Sequence, residues 1–175
     1  MRFMEKKKIV IVGAGFGGIY VARKLKKLIR QGLAEVTLIN KTNYFLFTPL
    51  LHEVATGGLS PISATEPIRE IIRNTGIQFK QAEVTTVNLS EKVIETNSEK
   101  IKFDHLVLSS GAETNFHGIP GAKENSLPLK SLRDALSIRT RIIDSFEKAA
   151  SEPVGEKRTK LLTFVVVGGG ATGVE

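Results

Sequence analysis

The chain has 175 residues, 41% hydrophobic and 25% charged, a balance that fits a folded domain and excludes a disordered tail. Cysteine is absent, which excludes disulfides, thiolate metal sites and a redox-active cysteine pair within these residues. The net charge of +7 suits a solvated basic surface, and because aromatic residues do not interleave with the basic ones, nucleic-acid binding is not supported.

No apolar run approaches the ~20 residues needed to span a bilayer. The opening MRFMEKKK has no apolar h-region, so no signal peptide is expected and the cytoplasm is the default compartment. Residues 8–13 (KIVIVG) read as a buried parallel strand, apolar without alternation. A helix follows from about Gly17 to Gln31, with Ile19, Ala22, Leu25 and Ile29 on one face and Gly32 as its stop. Residues 35–40 (EVTLIN) form the second strand, completing a right-handed parallel βαβ unit.

The next stretch is NYFLFTPLLHEVATGGLSP. Tyr44, Phe45, Leu46, Phe47, Leu50 and Leu51 make it too apolar for a solvent loop, while Pro49, Gly57, Gly58 and Pro61 prevent one long element. Such a segment packs either on the domain core or on a cofactor ring. A short helix is predicted around Thr65–Arg73, then strands at 77–87, 92–96 and 101–109. Ser110–Leu129 reads as a crossing between domains. Ser131 and Asp134 open a helix in the manner of a capping box, with Leu132, Ala135, Leu136, Ile142, Ile143 and Phe146 on one face. A polar linker, Ser151–Lys160, leads to a last strand, Leu161–Val167.

Two G-x-G-x-x-G motifs punctuate this order: Gly13, Gly15, Gly18 and Gly168, Gly170, Gly173. Each follows a β-branched apolar run, the context a dinucleotide-binding strand–turn–helix requires. One glycine permits the tight turn, one the approach of backbone to pyrophosphate, one the close packing of helix on strand. Two such turns suggest two dinucleotides and hence a flavoenzyme. At the end of the second strand, where such folds carry a ribose-binding acid, stands Asn40, followed by Lys41. An amide lacks the charge assistance of a carboxylate, so weaker ribose binding is expected. Glu175 fits either a helix N-terminus, where a carboxylate is favourable in itself, or a contact with nicotinamide. His52, His105 and His117 are scattered, so no metal site is expected.

These residues resemble the N-terminal part of type II NADH dehydrogenases, the single-subunit, non-proton-pumping NADH:quinone oxidoreductases. The resemblance runs through IVIVGAGFGG, VTLINKTNYFLFTPLLHEVATGGLSP, LVLSSGAETNFHGIPG, SLRDAL and VVVGGGATGVE, and the NYFLFTPLLHEVATG run is its most specific part. It implies an α/β, Rossmann-like FAD-binding domain, a parallel sheet with a small β-meander, plus the first strand of a second Rossmann-like NADH domain. The implied divisions are 1–130 for FAD binding, 131–160 for a connecting helix and linker, and 161–175 for the start of the NADH domain. Gly13, Ala14, Gly15, Phe16, Gly17 and Gly18 would cradle the FAD pyrophosphate. Asn40 and Lys41 would lie by the adenosine ribose and Val84 by the adenine. Thr48, Pro49 and Leu50 would approach the flavin, and Gly111 would close over the cofactor. Gly168, Gly170 and Gly173 would bind NADH, with Glu175 as the catalytic candidate near the nicotinamide–flavin contact.

The resemblance further implies electrons passing from NADH through FAD to a membrane quinone. It implies peripheral attachment at the inner face of the cell membrane through a C-terminal part beyond Glu175, and a homodimer or a complementing chain. Asn40 departs from the family's usual acid. The remaining NADH domain, quinone site and amphipathic helices are not among these residues, so the chain alone is expected to be inactive toward NADH. Two alternatives stand beside this reading: another two-dinucleotide flavoprotein (sulfide:quinone or ferredoxin reductase-like), and a non-catalytic FAD-binding remnant.

Overall fold

The computed structural model describes residues 5–175; residues 1–4, the start of the segment read as free of a leader, lie outside the described residues. In chain order the first elements are β1 (Lys7–Val12), α1 (Phe16–Arg30), β2 (Ala34–Asn40) and β3 (Tyr44–Leu46). A 3-10 turn at Thr48–Leu50 precedes α2 (Leu51–Thr56), and another at Pro61–Ala64 precedes β4 (Thr65–Pro67) and α3 (Ile68–Ile71). Then come β5 (Gln78–Gln81), β6 (Val84–Asn88), β7 (Val93–Thr96), β8 (Lys100–Lys102) and β9 (His105–Leu108). The helices α4 (Ala122–Asn125), α5 (Leu132–Ala150), α6 (Glu156–Leu161) and α7 (Ala171–Val174) complete the chain. It divides into two compact units: the described residues up to Phe45 with Glu66–Ala112, and Leu46–Thr65 with Glu113–Glu175.

In the first unit four parallel strands lie in the order β5–β2–β1–β9. The unbroken apolar run Ile9–Val12 of β1 follows from burial on both faces. Ile9, Ile11, Val36 and Leu38 belong to the cluster built with Ile19 and Ala22 of α1. Val10 and Ile39, pointing the other way, join Ala82, Ile94 and Phe103 beneath the antiparallel meander β6–β7–β8. Residues of one strand alternate between the two clusters because strand side chains have period two. Each fully buried Ile or Leu contributes about 1.5–3 kcal/mol by leaving water.

The sheet and meander match the α/β expectation, with corrections in the segments between. The strand expected over 77–87 is two, β5 and β6, and that over 101–109 is β8 and β9. The breaks fall at Ala82–Glu83 and Phe103–Asp104, where the chain turns between parallel sheet and meander and buries Ala82 and Phe103 in doing so. The helix expected at Thr65–Arg73 shrinks to Ile68–Ile71. Pro67 has no N–H to donate and keeps the residue before it extended, so Thr65–Pro67 forms a strand instead.

In the second unit α2 packs on α5. Leu51, Val54 and Ala55 meet Ala135, with Leu132 and Ile138 alongside. The apolar run after β2 is thus largely core: Leu46, Leu50 and Leu51 lie in this cluster, whereas Phe47, Thr48 and Pro49 are exposed. The run ends at Gly57, whose φ of 88° gives the left-handed turn that stops α2. The capping box of α5 forms as expected. Asp134 N–H donates to Ser131 Oγ at 3.2 Å, and Ser131 N–H donates to Asp134 Oδ2 at 2.7 Å.

The buried stripe of α5 differs from expectation. Leu136, Ile143 and Phe146 are exposed, the last two at 50% and 54%. A 6-residue α2 cannot cover a 19-residue α5, since helices rise only about 1.5 Å per residue. Part of the expected linker 151–160 is helical, as α6 is supported by a Glu156–Lys160 pair one turn apart at 2.7 Å. The expected strand Leu161–Val167 does not form: Leu161 closes α6, and Val165, Val166 and Val167 are exposed without sheet pairing. A strand's N–H and C=O groups need a neighbouring ladder, and no strand among the described residues supplies one here.

Candidate functional site

The register of the parallel sheet builds the first glycine turn. Val12 lies opposite Ile39 on one side and Leu108 on the other. The next residues, Gly13, Asn40 and Ser109, therefore emerge together at the carboxyl edge, where open α/β sheets bind ligands. Gly13 N–H donates to Ile39 O at 2.8 Å and Ser109 N–H to Val12 O at 2.8 Å.

The glycines then act as their spacing requires. Gly13 has φ 98°, and a Cβ there would stand 2.0 Å from Ser109 O. A Cβ on Gly18 would stand 1.8 Å from Gly13 O, so α1 lies directly on the strand end. Gly15, in contrast, has nothing within 4 Å of its Cβ position. That open space faces the start of α1, whose first-turn N–H groups have no intrahelical acceptor and whose first turn holds no acidic residue. The cradle fits a dinucleotide pyrophosphate: backbone donors, a positive helix end and room where Gly15 stands. Phe16 flanks it, meeting Phe45 edge-to-face at 5.0 Å.

Asn40 joins this turn from below. Its Oδ1 accepts the Ala14 N–H at 3.0 Å, and its Nδ2 donates to Thr42 O and Thr42 Oγ1, each at 3.0 Å. The amide is thereby committed to the turn itself. Lys41 Nζ forms a solvent-exposed pair with Glu83 Oε1 at 2.7 Å, and Lys41 O accepts from Gln81 Nε2 at 3.2 Å. This ties the end of β2 to the residue before Val84, whose side chain packs on the meander cluster. Gly111, with φ 76° and open space around it, follows β9 in the same unit. Ser109 and Thr42 were not singled out in the sequence. Their roles depend on strand order and on a local hydrogen bond that no motif encodes.

The second unit contains its own glycine turn, and it repeats the first. Gly168 has φ 118°, and Gly170 precedes α7 with φ −75°, as Gly15 precedes α1 with φ −76°. A Cβ on Gly173 would stand 2.1 Å from Gly168 O and 3.7 Å from a Val166 methyl. The corresponding distances for Gly18 are 1.8 Å to Gly13 O and 3.6 Å to an Ile11 methyl. Gly170, like Gly15, has open space at its Cβ. Glu175 follows this turn, and its Oε2 lies 3.3 Å from His52 Nδ1. Thr48, Pro49 and Leu50 form the 3-10 turn that leads into α2.

The chain is similar to known proteins in sequence and in fold. The chain is 37% identical to the mitochondrial external alternative NAD(P)H-ubiquinone oxidoreductase B4 of Arabidopsis thaliana, over 98% of this chain and 31% of that protein. It is 36% identical to the type II NADH:quinone oxidoreductase of Mycobacterium tuberculosis, over 98% of this chain and 37% of the relative. Its fold is similar to that of NDH2 from Plasmodium falciparum solved in complex with NADH. There the TM-score is 0.74 at 33% identity, over 89% of this chain and 32% of that one. The chain thus spans about a third of the length of the curated relatives it matches. Residues 7–175 match the family described as pyridine nucleotide-disulphide oxidoreductase, and the chain belongs to that family.

Proposed function

We propose that these residues are the N-terminal portion of a type II NADH:quinone oxidoreductase, with FAD at the first glycine turn and NADH at the second. The observation that carries this reading is the recurrence of one kind of turn in two units: a positive φ at its first glycine, open space at its central glycine and close packing at its last glycine. Bound there, FAD supplies two-electron chemistry between NADH and a quinone.

The chain's own residues have distinct tasks in this reading. Gly13, Ala14, Gly15, Phe16, Gly17 and Gly18 receive the FAD pyrophosphate. Asn40 and Lys41 shape the ribose side and Val84 the adenine side, Thr48, Pro49 and Leu50 approach the flavin, and Gly111 closes over the cofactor. Gly168, Gly170 and Gly173 receive NADH, and Glu175 stands beside its nicotinamide. Asn40 acts through the turn: it fixes the Ala14 N–H and leaves its neighbours free to face the phosphates.

Residues 1–130 serve FAD, 131–160 connect, and 161–175 begin the NADH portion. Among the described residues no helix is long and apolar enough to cross a membrane. Attachment to the inner membrane face, in this reading, belongs to sequence beyond Glu175, and the reading includes assembly as a homodimer or with a complementing chain.

Titration of the purified chain with FAD, followed by flavin absorbance and fluorescence, tests the first half of the proposal. Saturable binding is expected, together with no NADH oxidation by these residues alone. A folded chain that takes up no FAD overturns the reading in favour of a non-catalytic remnant.

A further inference from the structure

Among the described residues, His52 Nδ1 is the buried side-chain nitrogen or oxygen that has no hydrogen-bond partner. It nevertheless faces a carboxylate, since Glu175 Oε2 lies 3.3 Å away. The distance is within the reach of a hydrogen bond. Glu175 is 53% exposed, and its side-chain torsions can turn toward the ring without disturbing the core. The other ring nitrogen, Nε2, is 3.8 Å from Glu53 Oε1. That separation is beyond hydrogen-bond reach, so the close carboxylate is the one at Nδ1. His52 itself sits in the first turn of α2, between the core residues Leu51 and Val54, so its ring is placed by the fold and not by solvent.

A ring nitrogen removed from water needs a partner, and which nitrogen carries the proton is set by that partner. We propose that His52 is a positioning residue for Glu175: its Nδ1 carries the ring proton, directs it at the Glu175 carboxylate and so fixes that carboxylate beside the second glycine turn. The functional consequence rests on the reading of Glu175 as the residue at the nicotinamide. The pairing itself does not.

The test is long-range proton–nitrogen NMR on the 15N-labelled chain at about pH 8.5, above the usual imidazole range, where each histidine shows which nitrogen is protonated. His105 and His117, the other histidines of the chain, are internal controls. The expected pattern for His52 is Nδ1–H in the wild type and in Glu175→Gln, whose amide oxygen still accepts. In Glu175→Ala it becomes Nε2–H, with His105 and His117 unmoved. Glu175 is exposed, so neither variant threatens the fold. An Nε2–H pattern in the wild type, or no change in Glu175→Ala, overturns the proposal. Adding NADH to the same samples separates the two claims. NADH should shift the Glu175 amide and the His52 ring in the wild type. If the tautomer switches as expected but NADH moves neither signal, the pairing stands and the nicotinamide role of Glu175 is overturned.

Discussion

Asn40 Oδ1 accepts the Ala14 N–H at 3.0 Å, joining the end of β2 to the centre of the first glycine turn. The two residues meet because Val12 is in register with Ile39, which sets their successors side by side. The amide then has no free polar atom at full strength for a ribose, since both its oxygen and its nitrogen are engaged. Asn40→Ala is expected to destabilise the chain by about 1–2 kcal/mol, the scale of a part-buried hydrogen bond left with an unpaired N–H. Urea unfolding of the two proteins checks this. FAD affinity should fall with it, because the Ala14 N–H loses its anchor. An unchanged unfolding midpoint refutes the anchoring role.

The glycines of each turn separate into packing and binding positions. Gly18→Ala drives a methyl to 1.8 Å from a backbone oxygen and should cost about 3 kcal/mol through overpacking. Gly15→Ala meets nothing within 4 Å at a φ of −76°, so stability should change by less than about 1 kcal/mol. Its methyl does occupy the space offered to the pyrophosphate, and the FAD dissociation constant should rise at least about tenfold, equivalent to ~1.4 kcal/mol. Thermal unfolding and flavin titration on the same two variants read out the contrast. Equal behaviour of the two in either assay removes the distinction.

The second turn offers the same contrast for NADH. Gly170→Ala has open space and should weaken NADH binding without loss of fold, at least about tenfold if the methyl fills a phosphate site. Gly173→Ala strikes Gly168 O at 2.1 Å, so it should unmake the turn itself. Fluorescence of NADH titrated into each variant distinguishes them. Retention of wild-type affinity in Gly170→Ala argues against dinucleotide binding at this turn.

The sequence carried what is local or periodic. The unbroken apolar run of Ile9, Val10 and Ile11 announced a strand buried on both faces, and Ser131 with Asp134 announced a capped helix. Both signals lie within a few residues. What depends on distant partners was not legible. Asn40 meets Ala14 only through strand register, and Ser109 meets Gly13 only because β9 lies beside β1. His52 and Glu175 come from opposite ends of the second unit. Val165–Val167 has strong strand propensity and forms no strand, because propensity measures fit to a sheet and no described strand lies alongside. How much of the apolar face of α5 is buried is not legible in the sequence for a related reason, since the length of α2 decides how much of that face is covered.

Ser131→Ala should cost about 1 kcal/mol, the usual value of an N-cap side chain. The loss strikes α5, which carries Ala135 and the neighbouring Leu132 and Ile138 of the second unit's core, so it should be felt beyond the helix terminus. Hydrogen exchange read by mass spectrometry should show faster exchange across α2 as well as α5. Faster exchange confined to residues 131–135 means that the helix frays without loosening the core.

Asp104 gives the chain a pH-dependent tie within the parallel sheet. Its Oδ2 accepts the Lys8 N–H at 2.7 Å, and this backbone hydrogen bond, with Lys7 nearby at 3.9 Å, holds the carboxyl below its ordinary value. A folded-state value below the unfolded one means that the unfolded chain binds the proton more readily. The contribution is therefore complete above the ordinary aspartate range near pH 4 and is lost as pH falls through the depressed folded value. Asp104→Asn keeps an acceptor for Lys8 but cannot titrate. Wild type should be the more stable of the two at pH 7, and the gap in their urea midpoints should narrow as pH falls from about 4 toward 2. A gap that stays constant over that window shows that the carboxylate's charge plays no part. No gap at pH 7 shows that the neutral amide holds β1 and β9 together equally well.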